Sequence, residues 1–110
     1  MSYKYHNPGI PTKEIKEGET YLPGSKMYVS GYDTSSYKIE WMRFEKDSPL
    51  PELVKTIPHI AFEVDDLNET IKEKEILIHP DSPSDGITAA FIIDNGAPVE
   101  LLQIDKQERN

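Results

Sequence analysis

Each half of this 110-residue chain runs from a histidine in a short strand-like segment to a glutamate in a later one. In the first half the pair is His6 and Glu40, and in the second half it is His59 and Glu100. The intervals are 34 residues (40 − 6) and 41 residues (100 − 59), so the second half repeats the first in a longer form. Imidazole nitrogens and carboxylate oxygens are common protein ligands of divalent metals. The pattern predicts two related modules that jointly hold one metal ion.

The second half has the clearer pattern of secondary structure. Alternation of apolar residues predicts a first strand, and Asp66 followed three residues later by Glu69 is typical of a helix start. The Asn95-Gly96 pair is a strong signal for a tight hairpin. The order that follows is strand, helix and three strands. The strands are expected over residues 57–64, 76–78, 87–94 and 99–104, with a turn-rich loop over 80–86.

The first half repeats this order in reduced form. The segment between Pro11 and Gly24 contains Gly18 and too few apolar positions to predict a helix. The difference of seven residues between the two His-to-Glu intervals (41 − 34) fits the loss of that helix. The strands of this half are expected over residues 5–10, 26–32 and 38–45.

The pleat of the predicted strands places the histidines and glutamates on one side. In the strand that contains His59, the residues Ile60, Phe62 and Val64 alternate with it and should lie under a helix. The corresponding face in the first half is polar or small, as expected where no helix covers it. All four His and Glu candidates are therefore expected to point into one shared concavity. Trp41 departs from this rule, and we expect a loop or a partner chain to shelter it.

Charge and composition exclude several classes of function. The formal net charge is −8, from 12 basic and 20 acidic residues, so a nucleic-acid phosphate backbone would be repelled. No apolar run is long enough for a membrane span, and the N-terminal residues lack the apolar core of a secretory signal. There is no cysteine, which excludes disulfides, thiolate metal sites and a cysteine nucleophile. Nucleotide-binding glycine motifs are absent. We expect a cytoplasmic protein that binds neither nucleic acid nor membrane.

Three segments resemble the motifs of the vicinal oxygen chelate superfamily, which includes glyoxalase I, extradiol dioxygenases and bleomycin- and fosfomycin-resistance proteins. The resemblance extends over roughly residues 1–104. It is carried by Pro58-His-Ile-Ala-Phe-Glu-Val-Asp-Asp-Leu67, by Pro98-Val-Glu-Leu-Leu102 and by Ile39-Glu-Trp-Met-Arg-Phe44.

The resemblance implies an α+β fold in which two βαβββ-type modules form an incomplete barrel around a metal, the first module being reduced and lacking its helix. The whole chain is then one domain. Its parts are a reduced N-terminal module (1–46), a connection (47–56), a full C-terminal module (57–104) and a tail (105–110).

The resemblance also implies a set of site residues. His6, His59, Glu40 and Glu100 would bind a divalent Zn, Ni, Mn or Fe ion, and Glu40 or Glu100 would act as the catalytic base. The metal would act as a Lewis acid on a small oxygen-rich substrate. The residues expected to line the substrate pocket are Met42, Phe44, Ala61 and Leu102.

Three functions remain open on this basis. The leading expectation is a glyoxalase-like, metal-dependent lyase or isomerase. One alternative is a non-catalytic small-molecule binder of the drug-sequestering, bleomycin-resistance-like type, for which an acidic surface would suit a cationic ligand. Another is an iron-dependent ring-cleaving dioxygenase relative. A homodimer is expected because half-barrel modules expose sheet edges.

Simpler structural interpretations stand beside these. His59 can be a core histidine bonded to a backbone carbonyl, and Glu100 can pair with Arg43 or Lys38 instead of a metal. Arg43 is equally available to Glu40.

The remaining polar candidates also have structural explanations. His6 can belong to a turn, since Asn-Pro-Gly follows it. His79 precedes a proline and is expected to face solvent. The pair Asp65-Asp66 is explained by helix capping.

Overall fold

The structure, a computed structural model, describes residues 2–105 of the chain. All but the first residue of the expected C-terminal tail lies outside the described residues. Within them the chain forms eight strands and two helices. The strands are β1 (Lys4–Pro11), β2 (Thr20–Leu22), β3 (Met27–Ser30), β4 (Glu40–Phe44), β5 (His59–Glu63), β6 (Glu75–Ser84), β7 (Ile87–Asp94) and β8 (Ala97–Ile104). The helices are α1 (Glu52–Thr56) and α2 (Leu67–Thr70).

The predicted α+β class of two βαβββ-type modules is wrong, because the described residues are mostly strand and the two helices contain only five and four residues. The helix start at Asp66 is confirmed, since its carboxylate accepts a hydrogen bond from the Glu69 backbone N–H at 3.1 Å. Beyond Ile71, however, residues 72–75 are all exposed. Without a continued apolar stripe, further turns of α2 would gain no burial to offset their cost.

A helix in the connection was not anticipated from the sequence, and the predicted loop over 80–86 is wrong. Helix α1 lies in the predicted connection, where Val54 is fully buried. Strand β6 continues into the predicted loop over 80–86 as far as Ser84, and it contains Pro80 and Pro83. Its pairing with β7 has three register shifts, and such irregularities let a strand accommodate proline.

Contacts divide the described chain into two compact units. We call residues 7–60 the N-terminal unit, and residues 2–6 with 61–105 the C-terminal unit. Strands β1 and β5 each have residues in both units.

The N-terminal unit has the strand order β2-β3-β4-β1, with antiparallel pairs except for the parallel pair of β1 and β4. In that parallel pair, Glu40 lies opposite Gly9. The strand register places Glu40, Met42 and Phe44 on one face of β4, and Trp41 and Arg43 on the other.

The loop over residues 12–19, between β1 and β2, contacts the Trp41 side of β4. The Lys16 ammonium lies 4.6 Å from the centre of the Trp41 ring. Arg43 donates two hydrogen bonds to the carboxylate of Glu19, at 2.8 and 2.7 Å. The expectation that a loop shelters Trp41 is confirmed by the contact with Lys16.

The C-terminal unit has the strand order β5-β8-β7-β6. One face of these strands packs against α2 through a buried cluster that includes Leu67, Ile71, Ala90 and Leu101. Phe62 and Val64 lie with this cluster, as their alternation predicts. Val64 is itself one of the buried members of the cluster, and Ile92 is another.

Ile60, in the N-terminal unit, was expected under the same helix and is instead 47% exposed. Neither helix in residues 2–105 is long and apolar enough to cross a bilayer.

Candidate functional site

Two of the four predicted metal ligands, Glu40 and His59, lie beside Gly9 in the N-terminal unit. Glu40 is the register partner of Gly9 in the parallel pair, so the Glu40 side chain leaves the sheet on the side where Gly9 has none. The imidazole of His59 fills the space over Gly9. A Cβ atom built at position 9 would lie 2.6 Å from Nε2 and 2.9 Å from Nδ1 of that ring. We call these three residues the Gly9 cluster.

The His59 ring is almost fully buried within the Gly9 cluster. His59 is 2% exposed and Glu40 is half-buried. Adjacent strands are about 4.8 Å apart, so a carboxylate on β4 and an imidazole over β1 share one small region of the sheet face. A neighbouring carboxylate can orient an imidazole ring by accepting a hydrogen bond from it. The cluster therefore has the components of an acid–base pair.

The alternative cation partner for Glu40, Arg43, is engaged elsewhere. Arg43 lies on the opposite face of β4 and forms a two-bond ion pair with Glu19. The hydrogen bond from Arg43 lowers the pKa of Glu19, and the same bond raises the pKa of Arg43. The Arg43 guanidinium also stacks 4.1 Å from the centre of the Tyr28 ring. Lys38, the other cation considered for Glu100, lies over the Tyr32 ring at 5.3 Å.

The other two predicted ligands belong to the C-terminal unit. Glu100 is half-buried on β8, opposite Phe91 of β7. The alternation along β8 puts Glu100 on the same face as Leu102 and away from α2. His6 is half-buried on β1.

The predicted pocket residues fall into two pairs. Ala61 and Leu102 pack together with Ala89 in one buried cluster of the C-terminal unit. Met42 and Phe44 lie along β4 in phase with Glu40 in the N-terminal unit, and Met42 is buried.

The four predicted metal ligands are divided between the two units, with Glu40 and His59 in the N-terminal unit and His6 and Glu100 in the C-terminal unit. Among residues 2–105, no group of three or more His, Asp or Glu side chains is arranged to hold one metal ion. In the N-terminal unit, only two of the predicted metal ligands, Glu40 and His59, lie together, beside Gly9. We therefore derive no reaction step through a metal. His79 is exposed on β6, as expected for a residue that faces solvent.

A cleft in the C-terminal unit was not anticipated from the sequence. Its volume is about 480 Å³. Its floor is apolar, one wall is aromatic, and charged side chains stand on its rim. The residues that line it are Tyr3, Phe62, Glu73, Lys74, Glu75, Ile92, Ile93, Asp94, Val99 and Leu101. We call it the α2 cleft, because it opens on the sheet face that α2 partly covers.

The short length of α2 explains the cleft. Four helical residues extend about 6 Å, whereas the eight-residue strands β7 and β8 extend about 27 Å. The helix therefore covers only part of the apolar face, and Val99, packed at the margin of the α2 cluster, remains half-exposed. The charged run Lys72-Glu-Lys-Glu75 was the available signal, because a helix that loses its apolar stripe leaves the sheet beyond it uncovered.

The aromatic wall of the α2 cleft is made by a small ring cluster. Tyr3 packs edge-on against Phe62, with ring centres 6.1 Å apart and an interplanar angle of 88°. Tyr5 meets the same Phe62 ring at 6.1 Å and 77°. These edge-to-face contacts have the geometry that aromatic pairs prefer, so Phe62 packs with both tyrosines.

Comparison with known proteins gives the fold and little else. No family model and no curated protein matches the chain. Among solved structures, a hypothetical protein, BH1468 from Bacillus halodurans C-125, is similar over the full length of both chains, with a TM-score of 0.75 and 20% sequence identity. At this identity the similarity concerns the fold alone. The resemblance to the vicinal oxygen chelate superfamily stays a prediction.

Proposed function

We propose that this protein binds a small organic molecule without transforming it, and that the α2 cleft is the binding site. The observation that carries the proposal is the composition of the cleft: about 480 Å³ with an apolar floor, an aromatic wall and a few polar groups at the rim. Small-molecule sites have this make-up and a volume of roughly 300–1,000 Å³. Of the functions expected from the sequence, the non-catalytic binder agrees best with it.

The test is a fragment screen read out by amide chemical shifts of ¹⁵N-labelled protein. Ligands of the cleft are expected to shift the amides of Phe62, Ile92 and Val99 more than those of the N-terminal unit. The variant Val99→Phe adds a ring at the half-buried floor and should abolish these shifts. Thr20→Phe, at an exposed position on β2, adds the same ring outside the cleft and should leave them unchanged. Fragments that bind only elsewhere would refute the proposal.

A second candidate is the metal-dependent lyase or isomerase chemistry that the resemblance implies. It is supported by the side-by-side placement of Glu40 and His59 at Gly9. Elemental analysis of protein purified without chelators or a His-tag tests it, together with the double variant His59→Ala/Glu100→Gln. About one equivalent of Zn, Ni or Mn that disappears in the variant would favour this function. Iron would instead favour the dioxygenase alternative. No metal after incubation with these ions would reject both.

We also propose a homodimer and a cytoplasmic location. Among the described residues β2 pairs only with β3, so this three-residue strand leaves a sheet edge that another copy can cover. A chain with no cysteine forms no disulfide, as is usual for proteins of the reducing cytoplasm. Light scattering coupled to size-exclusion chromatography tests the first proposal, and imaging of the tagged full chain tests the second.

A further inference from the structure

We infer that the ligand of the α2 cleft is an organic cation, an amine or quaternary ammonium on an aromatic or aliphatic body. This inference rests on the proposed function and names the chemical class of its ligand. Three independent properties of the cleft carry it: the uncompensated charge of its rim, its aromatic wall and its apolar floor.

The rim of the α2 cleft has a negative charge that no ion pair within residues 2–105 neutralises. Glu73, Glu75 and Asp94 contribute three carboxylates and Lys74 one ammonium, which leaves a net charge of −2 (1 − 3). Among residues 2–105, none of these carboxylates has an ion-pair partner. Unlike Glu19, which is paired with Arg43, they are available to a cationic ligand.

The carboxylates are placed directly beside the apolar floor. Glu75 begins β6 and is the register partner of Ile93 on β7, and Asp94 follows Ile93 as the last residue of that strand. The alternation along β7 puts Asp94 on the same face as the buried Ile92, which packs with α2, and Glu75 lines the cleft from the edge strand at the Asn95-Gly96 end of the hairpin. A ligand seated on the floor brings a charged group at its end within reach of this rim.

The aromatic wall adds a second attraction for a cation. The faces of Phe and Tyr rings attract ammonium groups, by about 0.5–1 kcal/mol at exposed sites. Tyr3 is 47% exposed and Phe62 is half-buried, so both rings are accessible from the cleft. A neutral ligand would gain only burial on the floor, and an anion would be repelled both by the rim and by the net charge of −8 of the whole chain.

Three probes with one aromatic body and different charge test the inference. They are (2-naphthylmethyl)trimethylammonium, the neutral 2-naphthylmethanol and the anionic 2-naphthylacetate, each titrated into ¹⁵N-labelled protein at low salt. The cation is expected to shift the amides of residues 73–75 and 92–94 and to bind about tenfold more tightly than the alcohol. The preference should shrink in 0.5 M NaCl, because exposed charges are then screened over a few ångströms. The anion should not bind.

A charge-matched pair of variants separates the rim from the overall charge. The triple variant Glu73→Gln/Glu75→Gln/Asp94→Asn removes the three rim carboxylates and should bring the affinity for the cation down to that for the alcohol. The control Glu17→Gln/Asp33→Asn/Asp85→Asn makes the same change in net charge at exposed positions outside the cleft. It should keep the preference for the cation.

The outcomes distinguish this inference from the proposed function. If the alcohol shifts the same amides and binds as tightly as the cation, the cleft is a binding site and the charge inference is overturned. If both triple variants lose the preference equally, attraction to the whole chain explains it, and the rim has no special role. If none of the probes shifts residues lining the cleft, both the inference and the proposed function are overturned.

Discussion

Replacement of Gly9 by alanine tests the placement of His59 most directly. The new methyl group would lie 2.6 Å from Nε2 of the His59 ring, which is closer than side-chain atoms approach without one of them moving. The ring is 2% exposed and has little room to retreat. Overpacking of a core costs about 1–3 kcal/mol, and the lower backbone entropy of alanine in the unfolded chain returns about 0.4–1 kcal/mol. We expect a net loss of about 1–2 kcal/mol in the free energy of unfolding, from the difference between these two effects.

Thermal and urea unfolding followed by circular dichroism measure this loss. For a chain of this size the expected decrease in Tm is about 5–10 °C, at roughly 5 °C per kcal/mol. Gly24→Ala is the matched control, because the space around Gly24 is empty and its φ lies outside the left-handed region. This control should leave the protein unchanged or slightly more stable.

A double-mutant cycle then assigns the effect to the imidazole. In a His59→Ala background the methyl group at position 9 meets no ring, so the added substitution should cost nothing. The coupling energy between the two positions is expected to be about 1–2 kcal/mol, typical of residues in contact. Equal Tm values for Gly9→Ala and Gly24→Ala, or strict additivity in the cycle, would refute the position of the His59 ring over Gly9.

Three further substitutions test other parts of the fold. The hydrogen bond from Arg43 lowers the pKa of Glu19 below its ordinary 4.5, so this stabilisation is present above that pH and is lost as pH falls through the pKa in the folded state. Arg43→Met should therefore flatten the acid limb of a curve of Tm against pH, and an unchanged limb would contradict the pairing. Asp66→Ala removes the helix cap and should cost about 1 kcal/mol in urea unfolding, whereas the exposed neighbour Asp65→Ala should change stability by less than about 0.5 kcal/mol. Leu101→Ala empties a fully buried position and should cost about 2–5 kcal/mol, so a loss well under 1 kcal/mol would argue against its place in the core.

Local signals in the sequence predict local structure well. The Asn95-Gly96 pair forms the expected tight hairpin, with φ values of 50° and 87° and with Asp94 paired to Ala97. The N-cap at Asp66 is also in place. In both cases a few adjacent residues decide the conformation, so their identities are sufficient.

Features that depend on residues far apart in the chain could not be predicted from the sequence in this way. The pleat argument put Ile60 beneath a helix, but the Ile60 side chain is 47% exposed. The contact of His59 with Gly9 joins positions 50 residues apart (59 − 9), and nothing near either residue signals it. The α2 cleft arises from the difference in length between a helix and the strands beneath it. Such a mismatch appears only when both lengths are known.

The prolines of β6 have a consequence for the behaviour of the protein at high concentration. Among the described residues this strand pairs only with β7, so its other side is a place where a strand from another molecule can add. Pro80 and Pro83 have no amide proton, and the register shifts break the regular spacing of the remaining donors. An incoming strand therefore finds the row of hydrogen-bonding groups interrupted between Pro80 and Pro83, which disfavours the growth of β-rich aggregates by strand addition at this edge.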